Sequence, residues 1–291
     1  MAVLLTVPFV PSAQTLSSAL KAVVDTERAF ARDSVEHGQR EAFLTYLADD
    51  GITFSPAPGL GKSAIRKRPA PANPRAILLN WAPMTGGVSS SGDLGFTTGP
   101  YILEDRSGKA QPAQHGMYFT MWKKQRSGEF RAVLDLGIQL DAPVAAVESV
   151  SFTPMAGVGT GSSAASKDPK GRKHSLRDTD RAFSEAARAR GLADAAREYV
   201  RDDGRLHRNG LLPIVGRDAI DRYLREHQGR FTGQGMFADV SAAGDLGYTY
   251  GKYAVALKDT SEKGYYARLW TRDPGRAWNV LLEVTSPVPA S

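Results

Sequence analysis

Two hydrophobic rhythms run along the chain, and both occur twice in the same order. Near the start, Leu16, Leu20, Val23, Val24 and Phe30 fall close to one stripe, which predicts an amphipathic helix. Leu176, Ala182, Phe183 and Ala186 repeat that stripe, so a helix is expected to open each half of the chain. A second, short helix is expected at Glu41 to Leu47 and at Ala193 to Val200, each ending near paired aspartates, Asp49-Asp50 or Asp202-Asp203. After a loop, Gly61-Lys-Ser-Ala-Ile65 and Gly216-Arg-Asp-Ala-Ile220 each lead into another helix, with Ser63 or Asp218 placed to cap it. The rhythm then becomes that of strands. Segments around 94 to 103, 116 to 123 and 130 to 138, and their partners in the second half, are rich in aromatic and β-branched residues between Gly, Asp and Pro turns.

The repetition is also literal. Asp25-Thr-Glu-Arg-Ala-Phe30 and Asp178-Thr-Asp-Arg-Ala-Phe183 agree at five of six positions, 153 residues apart. Ser91-Gly-Asp-Leu-Gly-Phe-Thr-Thr-Gly-Pro-Tyr101 matches Ala243-Gly-Asp-Leu-Gly-Tyr-Thr-Tyr-Gly-Lys-Tyr253, with Gly244 standing 152 residues after Gly92. Met117 to Trp122 followed by Phe130 to Asp135 parallels Tyr265 to Trp270 followed by Trp278 to Glu283. Three collinear matches in units this long indicate a duplicated domain and not a solenoid of short repeats. The boundaries expected are a first domain at 16–142, a flexible Gly/Ser and basic linker at 143–173, and a second domain at 174–291.

Helices followed by a run of antiparallel strands resemble the nuclear transport factor 2-like superfamily. The strands open with Gly244-Asp-Leu-Gly-Tyr-Thr-Tyr-Gly251, and Trp270-Thr-Arg-Asp-Pro-Gly-Arg-Ala-Trp278 follows near the end. The chain looks most like the ketosteroid-isomerase-like and SnoaL-like members. That resemblance implies an α+β fold class: two cone-shaped domains, each with N-terminal helices packed in a curved antiparallel sheet and a pocket at one end. It also implies isomerisation, cyclisation or hydration of small apolar substrates, or a non-catalytic binding or association role, and fold alone does not choose among these. Pro69, Pro71 and Pro74 interrupt copy one where copy two continues as a helix from Arg217 to His227, so the first pocket mouth is expected to be built differently.

Composition narrows the classes. The chain has 291 residues, 42% hydrophobic and 23% charged, which fits two ordinary globular domains and excludes a disordered or fibrous chain. Having no cysteine, it cannot carry disulfides, thiolate catalysis or thiolate metal sites. Much of the net charge of +6 sits at Lys167, Lys170, Arg172, Lys173 and Arg177, which reads as a solvated linker, so no nucleic-acid partner is expected. No run of about 18 apolar residues occurs, so no membrane span is expected. Residues 1–15 form an apolar arm or the latter part of a secretory signal, implying export to periplasm or exterior in the second case and a cytoplasmic location in the first.

The candidate chemistry lies in the last hairpin of each repeat. If Thr271 pairs with Trp278, Tyr266 falls opposite Glu283, Arg268 opposite Leu281 and Trp270 opposite Asn279. The same register in copy one sets Tyr118 opposite Asp135, Thr120 opposite Val133 and Trp122 opposite Arg131. Glu283 and Asp135 are the candidate catalytic bases, and Tyr266 and Tyr118 the candidate donors to a developing enolate oxygen, because an aromatic pocket raises a carboxylate pKa. The competing reading is a carboxylate salt-bridged to Arg268 or Arg131. His207, Tyr250, Arg268 and Trp270, with Phe54 and Trp122 in copy one, form the candidate ligand-binding set. His207 is expected near the pocket rim, and Phe54 stands at its matched position, so a histidine mechanism cannot be shared. The five histidines form no ligand pair, so neither metal nor cofactor is expected. Gly59-Leu-Gly-Lys-Ser63 lacks the first glycine of a phosphate loop, Pro56 standing in its place.

The expected function is binding of a small, partly apolar molecule. The alternatives are a cofactor-free isomerase, cyclase or hydratase, and an association module. In the last, the two sheets pack as an intramolecular pseudo-dimer, with a homo-oligomer of the whole chain left open. If one half alone is active, the second is expected.

Overall fold

The structure, a computed structural model, describes residues 17–108, 111–144, 168–256, 260–273 and 275–288, with the backbone of Thr153–Pro154. The expected arm or signal at 1–15 and most of the expected linker lie outside the described residues. The first repeat runs α1 (Ser18–His37), α2 (Gln39–Tyr46), β1 (Leu47–Phe54), β2 (Pro58–Leu60), α3 (Gly61–Lys67), β3 (Ile77–Trp81), β4 (Thr85–Val88), β5 (Leu94–Asp105), β6 (Gln114–Lys124) and β7 (Phe130–Leu140), followed by β8 (Thr153–Pro154). The second runs α4 (Pro169–Arg190), α5 (Leu192–Tyr199), β9 (Val200–His207), β10 (Ile214–Val215), α6 (Arg217–Glu226), β11 (Arg230–Val240), β12 (Leu246–Ala256), β13 (Ser261–Thr271) and β14 (Asn279–Pro287).

Each repeat closes into one sheet, ordered β2-β1-β7-β6-β5-β4-β8 and β10-β9-β14-β13-β12-β11, with β3 also on β5. The fold is α+β throughout, and in each repeat helices lie in the concave face of a curved, mainly antiparallel sheet. Alternation along the strands sorts side chains to the two faces. Tyr118 and Trp122 of β6 face the helices, while Met117, Phe119 and Met121 enter an apolar layer on the other face. Ala267 and Leu269 of β13, with Tyr248 and Tyr250 of β12, come into that same layer from the second repeat. The two sheets therefore bury one another's outer faces.

The repeated Gly-Asp-Leu-Gly motif does three things. Gly92 and Gly244 turn at φ 67° and 75°, conformations glycine enters without strain. At the next glycine a Cβ would stand 2.9 Å from Val23 at Gly95 and 2.7 Å from Leu176 at Gly247, so its absence lets the long helix lie on the strand. The aspartates reach across to the other repeat: Asp245 accepts from the Ser90 amide at 2.7 Å, and Asp93 from the Ala242 amide at 3.0 Å.

Several local expectations are corrected. Ser63 and Asp218 do not cap their helices, which start earlier, after Leu60 and Gly216, with no side-chain cap bond. The second repeat's long helix begins inside the expected linker, because Asp168 accepts from the Lys170 amide at 3.0 Å and Pro169 suits the first turn. Its Lys173 pairs with Asp239 at 2.7 Å. Strands β1 and β9 stand where a loop was expected after the paired aspartates. Asp and Gly disfavour strands locally, and here parallel pairing with β7 and β14 decides the matter.

The hairpin register is also corrected. Tyr118 stands opposite Gly137 and Thr120 opposite Asp135, while Tyr266 stands opposite Thr285 and Arg268 opposite Glu283. Each hairpin tip pairs one residue later than expected, as Lys123 with Arg131 and Thr271 with Asn279. Each ladder then shifts by one more residue at a bulge, between Met121 and Trp122 or Leu269 and Trp270. Two single shifts restore the original face, because side chains alternate with period two. The same-face placement survives, although the opposed partners are different.

Candidate functional site

A cavity of about 410 Å³ opens in the first repeat. Its apolar wall comes from Phe43, Ile65, Leu79, Trp81, Tyr101 and Leu103, and Tyr118, Asp135 and Thr53 supply polar groups. The exposed end is lined by Arg68, Pro69 and Pro71, with the half-buried Gln39 and Arg40 also in the lining. Helix α3 stops at Lys67, one residue beyond which the chain becomes proline-rich, so an irregular segment forms part of the mouth.

Asp135 accepts from the Thr120 hydroxyl at 2.7 Å. Burial pushes its carboxyl up to about 6, against the lowering effect of that bond. The Tyr118 hydroxyl is buried without a hydrogen-bond partner, and burial together with nearby Glu27 pushes it well above the ordinary phenol range. Glu27 lies behind this wall, wholly buried. It accepts from Trp81 Nε1 at 2.5 Å, from Trp122 Nε1 at 3.0 Å and from the Thr97 hydroxyl. Burial outweighs those three donors and raises Glu27 to about 7. The first repeat thus holds two carboxyls that titrate near neutrality, one of them lining the cavity.

At the matched place in the second repeat stands a buried ion cluster. Arg268 stands where the first repeat has Thr120, fully buried. It donates through Nε to Glu283 at 2.6 Å and through Nη1 to Asp180 at 2.9 Å. Its guanidinium carbon lies 4.1 Å from the Phe183 ring centre and 4.0 Å from that of Tyr266. Asp180, the counterpart of Glu27, also accepts from the Tyr266 hydroxyl at 2.6 Å and from the Thr249 hydroxyl at 2.9 Å. Burial alone would raise Glu283, but Arg268 and Arg208 hold it down at about 2.

The structure therefore brings Asp135, Tyr118 and Phe54 together around one cavity, with Trp122 behind them on Glu27. Glu283, Tyr266 and Arg268 also meet, but as an ion-paired core, and Trp270 lies buried with its Nε1 donating to Thr249 at 2.9 Å. Tyr250 packs in the layer between the sheets, its ring 6.0 Å from that of Phe54. The cavity lies in the first repeat, where Trp81 packs on Phe30 and donates to Glu27 much as Arg268 packs on Phe183 and donates to Asp180 in the second.

His207 does not sit at a rim. It stands beside Val284, a residue of the inter-sheet layer, fully buried with both ring nitrogens unpartnered. Burial, helped by Arg205 and Arg208, lowers its pKa from 6.5 to about 3. The unfolded chain takes up a proton below pH 6.5 that the folded chain refuses, so stability falls with pH, by about 2 kcal/mol at pH 5. His207→Phe, which copies Phe54, should remove that loss. Urea unfolding should show the variant gaining about 2 kcal/mol on the parent between pH 8 and pH 5, and an unchanged difference would refute the assignment.

Glu27 escaped the sequence reading although it had a signal: it lies at helical spacing between Val23 and Phe30, on the stripe α1 buries. Thr120 was read as a hairpin residue that differs from its counterpart Arg268, and its bond to Asp135 was not foreseen. Asp33, Glu36 and His37 bring metal-capable atoms within 4.8 Å of one another on α1, away from the cavity lining. Among the described residues no helix is long and apolar enough to cross a membrane.

No family model matches the chain, and no curated protein matches it. Solved structures do. Each match covers about two fifths of this chain, the length of one repeat. A ketosteroid isomerase-like protein from Erwinia carotovora atroseptica is 15% identical with a TM-score of 0.37, covering 42% of this chain and 99% of that one. An NTF2-like protein with a cystatin-like fold from Novosphingobium aromaticivorans is 19% identical with a TM-score of 0.32, covering 42% and 84%. An LEH-like epoxide hydrolase from Mycobacterium tuberculosis is 17% identical with a TM-score of 0.32, covering 41% and 81%.

Proposed function

We propose that the first repeat binds a small, partly apolar molecule and that the second serves as its scaffold. The observation that carries this is the contrast between the repeats: the first holds an aromatic-walled cavity with Asp135 and Tyr118 in its lining, while in the second the matched carboxylate and tyrosine are tied into a buried cluster around Arg268. A volume near 410 Å³ with a few polar groups among aromatics suits a compact ring compound. The apolar layer between the sheets supports reading the pair as an intramolecular pseudo-dimer, in which the second repeat covers the outer face of the first. A screen of ring carbonyl compounds by thermal shift should find ligands that raise the melting temperature, and Phe43→Ala should weaken them. If no compound shifted the melting temperature, the binding reading would fall.

A second reading, proton transfer, is favoured by one pairing in the wall: Asp135, titrating near 6, beside the unpartnered hydroxyl of Tyr118. Asp135 as carboxylate would take a proton from carbon next to a carbonyl. The C–H electron pair would pass into the enolate, whose oxygen Tyr118 would hydrogen-bond, and Asp135 would return the proton to another carbon. The rate kcat/KM should then rise with pH through about 6 as Asp135 ionises. Tyr118→Phe should lower kcat by about 100-fold or more, as loss of an oxyanion donor does, while Asp135→Asn should abolish turnover and retain binding. Ligands that bind without any Asp135-dependent hydrogen exchange at carbon would leave the binding reading and remove this one.

A further inference from the structure

We propose that the ligand of the first repeat is an amphipathic acid, whose apolar body enters the cavity and whose anionic group stays at the mouth on Arg68 and Arg40. The inference rests on the binding reading above and adds the ligand's charge and orientation. The cavity is graded: Tyr118 and Trp81 at its inner wall are buried, whereas Arg68 and Pro69 at the other end are exposed. Arg68 stands at that outer end, and the half-buried Arg40 adjoins it, bonded to the Arg68 carbonyl. Arg40 is held in place, its Nη1 donating to the carbonyls of Ile65 at 2.6 Å and Arg68 at 3.0 Å. Among the described residues its one acidic partner is Glu41, 3.8 Å from Nε and largely exposed, so the charge is only weakly compensated. The Arg68 guanidinium makes no ion pair or hydrogen bond among the described residues.

The repeats again supply the internal comparison. Ala193 stands 153 residues after Arg40, and Tyr223 matches Arg68 when both are counted from the Ala-Ile of the Gly-led helix. The second repeat thus lacks both mouth cations that the first one has. The inner wall carries an ionisable acid, Asp135, which repels an anion, so an acidic ligand is turned with its charge outward. A guanidinium fork at the rim suits a carboxylate or similar oxyanion, and its attraction is screened by salt.

The test uses two fluorescent probes with one body, neutral N-phenyl-1-naphthylamine and its anionic analogue 8-anilinonaphthalene-1-sulfonate, titrated into the full chain. Parent protein should bind the anionic probe about tenfold more tightly at low salt, a difference of about 1.4 kcal/mol that shrinks as salt rises. Arg68→Gln, which breaks no contact, should lose most of that preference and keep its affinity for the neutral probe, and Arg40→Gln should lose the remainder. Leu79→Trp, at a residue of the lining, narrows the cavity and reports whether either probe is inside it. If both probes bind and Leu79→Trp expels both, but the anionic one is not preferred or its preference survives in Arg68→Gln, this proposal is overturned and the binding reading stands. If neither binds, or Leu79→Trp changes nothing, the binding reading falls and this one with it.

Discussion

Arg268→Met should destabilise the protein by about 3–5 kcal/mol at pH 7, the usual effect of removing one partner from a buried ion cluster. Asp180 would keep the Tyr266 and Thr249 hydroxyls and Glu283 would keep Arg208, but two carboxylates would face each other across an apolar core with one cation fewer. The sign with pH follows from Glu283. Its folded pKa of about 2 lies below the ordinary 4.5, so its ion pairs add stability above pH 4.5 and lose it as pH falls towards 2. The penalty of Arg268→Met should therefore be greatest above pH 4.5 and shrink in acid. Adding Asp180→Asn and Glu283→Gln should recover most of the loss, since the uncompensated charges, not the lost volume, are the main cost. Urea unfolding of the single and triple variants at pH 7 and pH 4 checks this. A single variant within about 1 kcal/mol of the parent would show that the cluster is not the electrostatic core described.

Thr120→Arg should do the reverse in the first repeat. The new guanidinium would lie between Glu27 and Asp135, as Arg268 lies between Asp180 and Glu283. Ligand binding should weaken on the order of 100-fold or more, about 2.7 kcal/mol, because the longer side chain displaces Asp135, the cavity-lining residue to which Thr120 is bonded. The fold should persist, since the incoming charge meets two acids that now titrate near 6 and 7. Those two carboxyls should fall below their ordinary values, a change that carbon-detected NMR titration reads directly. Unchanged ligand affinity in Thr120→Arg would show that binding occurs elsewhere.

Position 120 illustrates what was hard to read. Tyr118, Asp135, Tyr266 and Glu283 were recognisable from chemistry and strand parity, and the two-residue register error did not move them to another face. What each carboxylate does was not recognisable. Arg268 could be a ligand contact or a structural partner, and the choice depends on Asp180, 88 residues earlier, reaching it from a helix laid across the sheet. Glu27 was overlooked on an otherwise apolar stripe because an acid there looks like an interruption. Its reason is the pair of indoles, Trp81 and Trp122, whose N–H groups need an acceptor in the core.

By itself the sequence determined the duplication, the order of the helices and of the last three strands in each repeat, the α+β class and the face on which the hairpin residues fall. These depend on contacts or periodicities within a few residues, and they are written twice. Only the tertiary structure decided the bulged register, the burial of His207 between the sheets, the helical start at Pro169 and the different surroundings of the two pairs of buried acids. Those outcomes depend on volume and charge brought together over long separations: indole and hydroxyl donors meet Glu27 and Asp135, while one arginine bridges Asp180 and Glu283.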